Sequence, residues 1–149
     1  FDHTAGIGIM CEDLPEEHNT VTLDPELVDS DGIPAPKITY SMSENTQKML
    51  THGLARGEEV MQAAGAIEIN SSGPIRDAGW HLLGTARMGN DPKNSVVNSW
   101  GRSHDVKNLF IVDGSIFVTA GGVNPTSTIQ ALALYIADTM KKNLANLFD

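Results

Sequence analysis

Apolar and polar residues alternate in Thr20-Val-Thr-Leu23 and again in Lys37-Ile-Thr-Tyr40, which predicts two short half-buried strands of a small antiparallel sheet. Between them, Asp24-Pro25 and Asp31-Gly32 read as turns and Pro34-Ala-Pro36 as an extended link. Ahead of them, Ala5-Gly-Ile-Gly-Ile-Met10 predicts a strand whose glycines allow a close neighbouring backbone, followed by an acidic loop from Glu12 to Asn19. Met49, Leu50, Leu54, Val60, Met61 and Ala64 recur at helical spacing, so a helix is expected over about 44–64. Ser43 or Asn45 can cap its start, and Gly65 suits its end. Ala66-Ile-Glu-Ile69 reads as a further strand, and the polar stretch from Asn70 to Gly79, with Gly73-Pro74, as a connector.

The last third has a different texture. A block from Trp80 to Asn98 leads through a polar turn into Leu109-Phe-Ile-Val112, an apolar run of the buried-strand type that stops at Asp113-Gly114. A final helix is expected from Thr126 to about Leu144. It is apolar nearly all round (Ile129, Leu132, Leu134, Ile136) and so is expected to be buried. Asn is a strong N-cap and Pro favours the first helical position, so Asn124-Pro125 after Gly121-Gly122 marks its start.

Charge narrows the candidate partners. The net charge is −9, and residues 1–75 carry thirteen Asp/Glu against three Lys/Arg. Such an acidic surface argues against nucleic acid, which requires a basic stripe. Cys11 is the single cysteine, so no internal disulfide can form; at the end of an apolar run it reads as a structural thiol. This usage suits a reducing compartment and favours a soluble, cytoplasmic protein without fixing the location. No apolar run reaches the roughly 18 residues of a membrane span. No two histidines or acids have metal-ligand spacing, so no metal is expected.

The candidate chemistry lies in the last third. A helix N-terminus presents unpaired backbone N–H groups and the positive end of the dipole, which suits an anion or a ring that becomes anionic. His81, beside a Gly-Thr turn, can be a structural residue or a base that titrates near neutral pH. Asp113-Gly114-Ser115 can be a plain strand-end turn or can lie near a ribose or phosphate.

Three motifs in order, H-x-x-G-T-x-R-M-G from His81, N-L-F-I-V-D-G-S from Asn108 and G-G-V-N-P-T-x-T from Gly121, resemble the C-terminal signature of the glucose–methanol–choline (GMC) oxidoreductases. The resemblance implies an enzyme that uses FAD to oxidise a CH–OH group in a sugar, polyol or other alcohol. In it His81 takes or guides the hydroxyl proton, Asn124 donates to the developing alkoxide, and a hydride passes to flavin N5. It also implies that Asn124, Pro125 and Thr126 lie against the flavin and that Asp113 and Gly114 lie near the ribose–pyrophosphate. Arg87 belongs to the motif but is not assigned to substrate. His3, His18, His52 and His104 match nothing in it and are expected at the surface.

The same resemblance implies an α+β fragment. Residues 1–105 would belong to a substrate-binding domain with an antiparallel sheet and helices, and residues 106–149 would supply the last strand and helix of a Rossmann-type FAD-binding domain. The G-x-G-x-x-G turn that opens such a domain occurs nowhere in the 149 residues, and Gly6-Ile-Gly8 opens no helix. The expected partners are therefore an N-terminal FAD-binding part of the same enzyme and a small alcohol or sugar. A noncatalytic assembly fragment and a non-redox lyase of this fold are the alternatives.

Overall fold

Alternation around residue 20 ends in a longer strand than expected. In the structure, a computed structural model that describes residues 3–75 and 79–147, β1 runs Thr20–Val28 and pairs antiparallel with β2, Pro34–Thr39. Thr20 stands opposite Thr39, Val21 opposite Ile38 and Leu23 opposite Pro36, and the register shifts before Val28 meets Pro34. The shift is the physical outcome of the turn signal at Asp24-Pro25. The Asp24 carboxylate accepts the N–H groups of Glu26 at 2.9 Å and Leu27 at 2.8 Å, so the chain kinks inside the strand instead of ending it. The turn at Asp31-Gly32 does close the hairpin, with Gly32 N–H donating to the Asp29 carbonyl. Both faces of the ribbon are open: Leu23 is 69% and Ile38 73% exposed on one, and Thr22, Lys37 and Thr39 are exposed on the other.

Helix α1, Glu44–Ala63, is capped by Ser43, whose Oγ accepts the Thr46 N–H at 3.1 Å. Gly65 closes it: its N–H returns to the Gln62 carbonyl and that of Ala66 to Met61, the paired bonds of a Schellman end. Exposed pairs Glu44–Lys48 and Arg56–Glu59 add a few tenths of a kcal/mol each.

The strand expected at residues 5–10 does not form. Among the described residues no neighbour completes a ladder, and the segment instead lies across α1, where Gly53 and Gly57, one turn apart, make a notch for Ile9. A Cβ at Gly53 would sit 2.5 Å from Ile9 Cγ2, and one at Gly57 3.4 Å from Ile9 Cδ1. The segment is fixed again at Asp13, whose carboxylate accepts the Tyr40 hydroxyl at 2.6 Å and the Thr46 hydroxyl at 3.0 Å. The Tyr40 phenol is pushed up to about 12, first by that hydrogen bond to Asp13, then by burial and the carboxylate's charge.

The two glycines make opposite predictions. Gly57→Ala removes a helix-interior glycine and meets only the flexible end of Ile9, so it should stabilise by up to about 1 kcal/mol. Gly53→Ala meets a methyl branched directly from Ile9 Cβ, so it should destabilise despite the same propensity gain. Melting temperatures of the two variants in the full-length protein check this; a stabilised Gly53→Ala would show that Ile9 does not occupy the notch.

The strand expected at residues 66–69 is absent as well, and Ile67 is fully exposed. Residues 109–112 form only a single bridge, Phe110 with Arg102, flanked by bonds from Ser103 N–H to the Leu109 carbonyl and from Ile111 N–H to the Gly101 carbonyl. A buried strand is paired on both sides, and the described residues supply a short partner on one side only.

Helix α2, Thr126–Lys142, ends in a single 3₁₀ turn, Leu144–Asn146. It is not buried all round. Ile136 is 1% exposed and packs with Val97 and Ile116, flanked by Met88, Ile111, Phe117, Leu132 and Met140, whereas Leu134 on another face is 72% exposed.

Candidate active site

The segment after His81 is pinned to the segment after Asp113. Gly84 N–H donates to the Gly114 carbonyl at 3.3 Å, Ala86 to Ser115 at 2.9 Å and Met88 to Ile116 at 2.9 Å. Asp113 caps the short 3₁₀ turn Gly114–Ile116, its Oδ1 accepting the Ser115 N–H at 2.8 Å. Bonds from the Ser115 hydroxyl and N–H hold the Asp113 carboxyl below its ordinary 3.8. This gives Asp113 a structural task whatever else it meets. Gly114 is buried where three elements converge: a Cβ there would lie 2.7 Å from Leu83 Cδ2, 3.1 Å from Ile129 Cδ1 on the first turn of α2 and 3.3 Å from the Leu82 carbonyl. The structure thus brings together the end of the His81 segment, Asp113-Gly114 and the N-terminus of α2.

His81 and Asn124 are both exposed, and among the described residues neither side chain makes a hydrogen bond within the chain. Apolar neighbours surround them in sequence: Trp80 is 83%, Leu82 80% and Val123 82% exposed. Polar groups flanked in sequence by open apolar side chains have the make-up of a binding-site lining. The depressions along α1, lined in part by Lys48, Thr51 and His52, contain neither His81 nor Asn124.

Asn124 does not cap α2. Pro125, buried and at φ −86°, takes that position, and among the described residues no side chain caps the first turn. The first intrahelical bond runs from Ile129 N–H to the Pro125 carbonyl, so the earlier amides of the turn face outward without a side-chain acceptor. Such a terminus can take an electron-rich edge or an anion.

Arg87 donates from Nε to the Asn94 carbonyl at 2.7 Å, a brace across the 89–97 loop. His104, expected at the surface, is half-buried in that loop, with Nε2 at 2.9 Å from Ser95 Oγ and 3.2 Å from the Gly89 carbonyl. His18 pairs with Ser41, and His3 and His52 are exposed. Cys11 is half-buried and unpaired. Among the described residues there is no group of three or more His, Cys, Asp or Glu able to hold a metal, and no helix is long and apolar enough to cross a membrane.

One contact had no sequence signal. Thr119 donates from Oγ1 to Glu12 Oε1 at 2.8 Å across 107 positions, joining the loop before Asn124 to the N-terminal segment. No motif or spacing links residues so far apart.

With this geometry in view, the chain belongs to the GMC oxidoreductase family, whose C-terminal model matches residues 15–133. It is 47% identical over 139 residues to 2-methyl-1,2-propanediol dehydrogenase of Mycolicibacterium austroafricanum, covering 93% of this chain and 25% of that protein. It is 42% identical to 6'''-hydroxyparomomycin C oxidase of Streptomyces lividus, covering 93% of this chain and 26% of that protein. It is 36% identical to the fructose dehydrogenase large subunit of Gluconobacter japonicus, covering 95% of this chain and 26% of that protein. The crystal structure of pyridoxine 4-oxidase from Mesorbium loti shares the fold, with a TM-score of 0.66 at 23% identity over 87% of this chain and 28% of that one. The chain spans about a quarter of the length of these curated relatives.

Proposed function

We propose that this chain forms the C-terminal wall of an FAD-dependent enzyme that oxidises a CH–OH group in a sugar, polyol or other alcohol. Residues 1–105 would border the substrate, and residues 106–149 would complete the cofactor domain of a longer polypeptide. The observation that carries the reading is the convergence on Gly114, which joins the His81 segment to the start of α2 while both polar side chains stay uncommitted. The relatives named for a diol, an aminoglycoside and a sugar support the substrate class.

The residues fit the cofactor: α2 begins with outward amides that no side chain caps, and the glycines before it carry no Cβ. Asn124, Pro125 and Thr126 would border the flavin, and Asp113 and Gly114 the ribose–pyrophosphate side. FAD, when bound, supplies the acceptor for the hydride that leaves the carbon. His81 accepts the hydroxyl proton, so the alcohol loses one proton and one hydride and becomes a carbonyl. The Asn124 amide, a donor that does not titrate, stabilises the oxygen as charge grows on it. The exposed Trp80, Leu82 and Val123 would be covered by the rest of the enzyme and keep water from the reacting pair.

The test is a visible spectrum of the full-length enzyme followed by anaerobic addition of diols, sugars and amino sugars. A bound-flavin spectrum that bleaches with one of these classes is the expected result. A colourless protein would instead mean a noncatalytic assembly module, and a bound flavin that no alcohol bleaches would mean a lyase.

A further inference from the structure

The loop that delivers Asn124 has little to hold it. Among the described residues no backbone hydrogen bond ties down residues 118–123, which run from the Gly114–Ile116 turn to α2. Val118 and Val123 point largely to solvent. The loop's side-chain tether is the 2.8 Å bond from Thr119 Oγ1 to Glu12. The other end of this tether is firm. Glu12 lies between Ile9, seated in the α1 notch, and Asp13, bonded to Tyr40 and Thr46. A braced segment therefore presents a carboxylate to an otherwise untethered loop, five residues before the amide assigned to the alkoxide.

We propose that Glu12 is a positioning residue for Asn124, acting through Thr119 to fix how the loop enters α2; this rests on the role of Asn124 given above. The bond sets the amide's place and touches neither substrate nor cofactor. It also couples the segment packed on α1 to the helix start.

The test compares Glu12→Ala, Thr119→Val, their double variant and Thr119→Ser in the full-length enzyme, with two readouts. One is single-turnover flavin reduction with its substrate affinity, and the other is backbone hydrogen exchange across the first hydrogen-bonded turn of α2, residues 129–132. Glu12→Ala and Thr119→Val should each slow reduction about tenfold, as loss of about 1.4 kcal/mol would, with affinity unchanged. The double variant should be no slower than either single one, because one interaction is removed once. Thr119→Ser keeps the donor and should restore the rate, and exchange should quicken in both disrupted variants. Additive losses, a loss confined to affinity, or unchanged exchange would each overturn the proposal. Asn124→Ala separates it from the reading beneath. If that variant is slow and Thr119→Val is not, the positioning role falls alone; if Asn124→Ala reduces at the wild-type rate, the assignment of the amide falls with it.

Discussion

His81→Ala in the full-length enzyme should slow the reductive half-reaction by about 10²–10⁴-fold, the range for loss of a positioned acid–base group. The side chain is well suited to a clean test. It is exposed and makes no hydrogen bond within the described residues, so its removal should leave the fold intact. The backbone that follows is held independently of it, by Leu82 and Leu83 against Gly114 and by the bonds of Gly84, Ala86 and Met88. The expected signature is therefore a fall in the rate of flavin reduction with little change in substrate affinity and none in melting temperature. Rapid-mixing measurement of anaerobic reduction decides the matter; a near-normal rate would remove His81 from the chemistry and leave the proton to another group.

The sequence was most informative where a feature depends on residues close together. Ser43, the apolar spacing of α1 and Gly65 define a helix from local chemistry alone, and it formed over Glu44–Ala63. The Asp31-Gly32 turn and the two alternating segments likewise pair as a hairpin. Expectations failed where an element needs distant partners. Residues 109–112 are apolar enough for a buried strand, but among the described residues only Arg102 and its neighbours pair with them. The apolar faces of α2 exceed what the Val97–Ile116–Ile136 core can cover, so Leu134 and Tyr135 remain open. Asp24-Pro25 failed for a subtler reason: a side chain that accepts two following N–H groups can bend a strand without ending it. For the candidate site the motifs nominate His81 and Asn124, and the structure adds what no motif carries, the packing at Gly114 and the tether from Glu12. Both depend on residues distant in sequence, Leu82, Leu83 and Ile129 around Gly114 and Glu12 with Thr119.

Gly101→Ala should be among the most damaging substitutions of a small residue in this chain, destabilising by about 3 kcal/mol or more. The position closes the turn Asn98–Gly101. Asn98 Oδ1 accepts the N–H groups of Trp100 and Arg102, each at 3.1 Å, and Asn98 N–H reaches the Arg102 carbonyl at 2.8 Å. To complete the turn Gly101 adopts φ +76°, a left-handed value that costs an ordinary residue roughly 1–2 kcal/mol. Steric overlap is the larger part. A Cβ would stand 2.6 Å from the Ile111 carbonyl oxygen and 2.8 Å from Ile136 Cδ1. Because Ile136 belongs to α2 and lies at the centre of the core, relief of the overlap would push that helix and, at its other end, the first turn that borders the site. Two controls separate the causes. Gly65→Ala has a similar φ of +88° but open space, so it should cost only the conformational part. Ile136→Val deletes the offending methyl but not the carbonyl, so adding it to Gly101→Ala should fail to restore the melting temperature. Full rescue by that second change would mean that the side chain, not the Ile111 backbone, is what demands glycine at this turn.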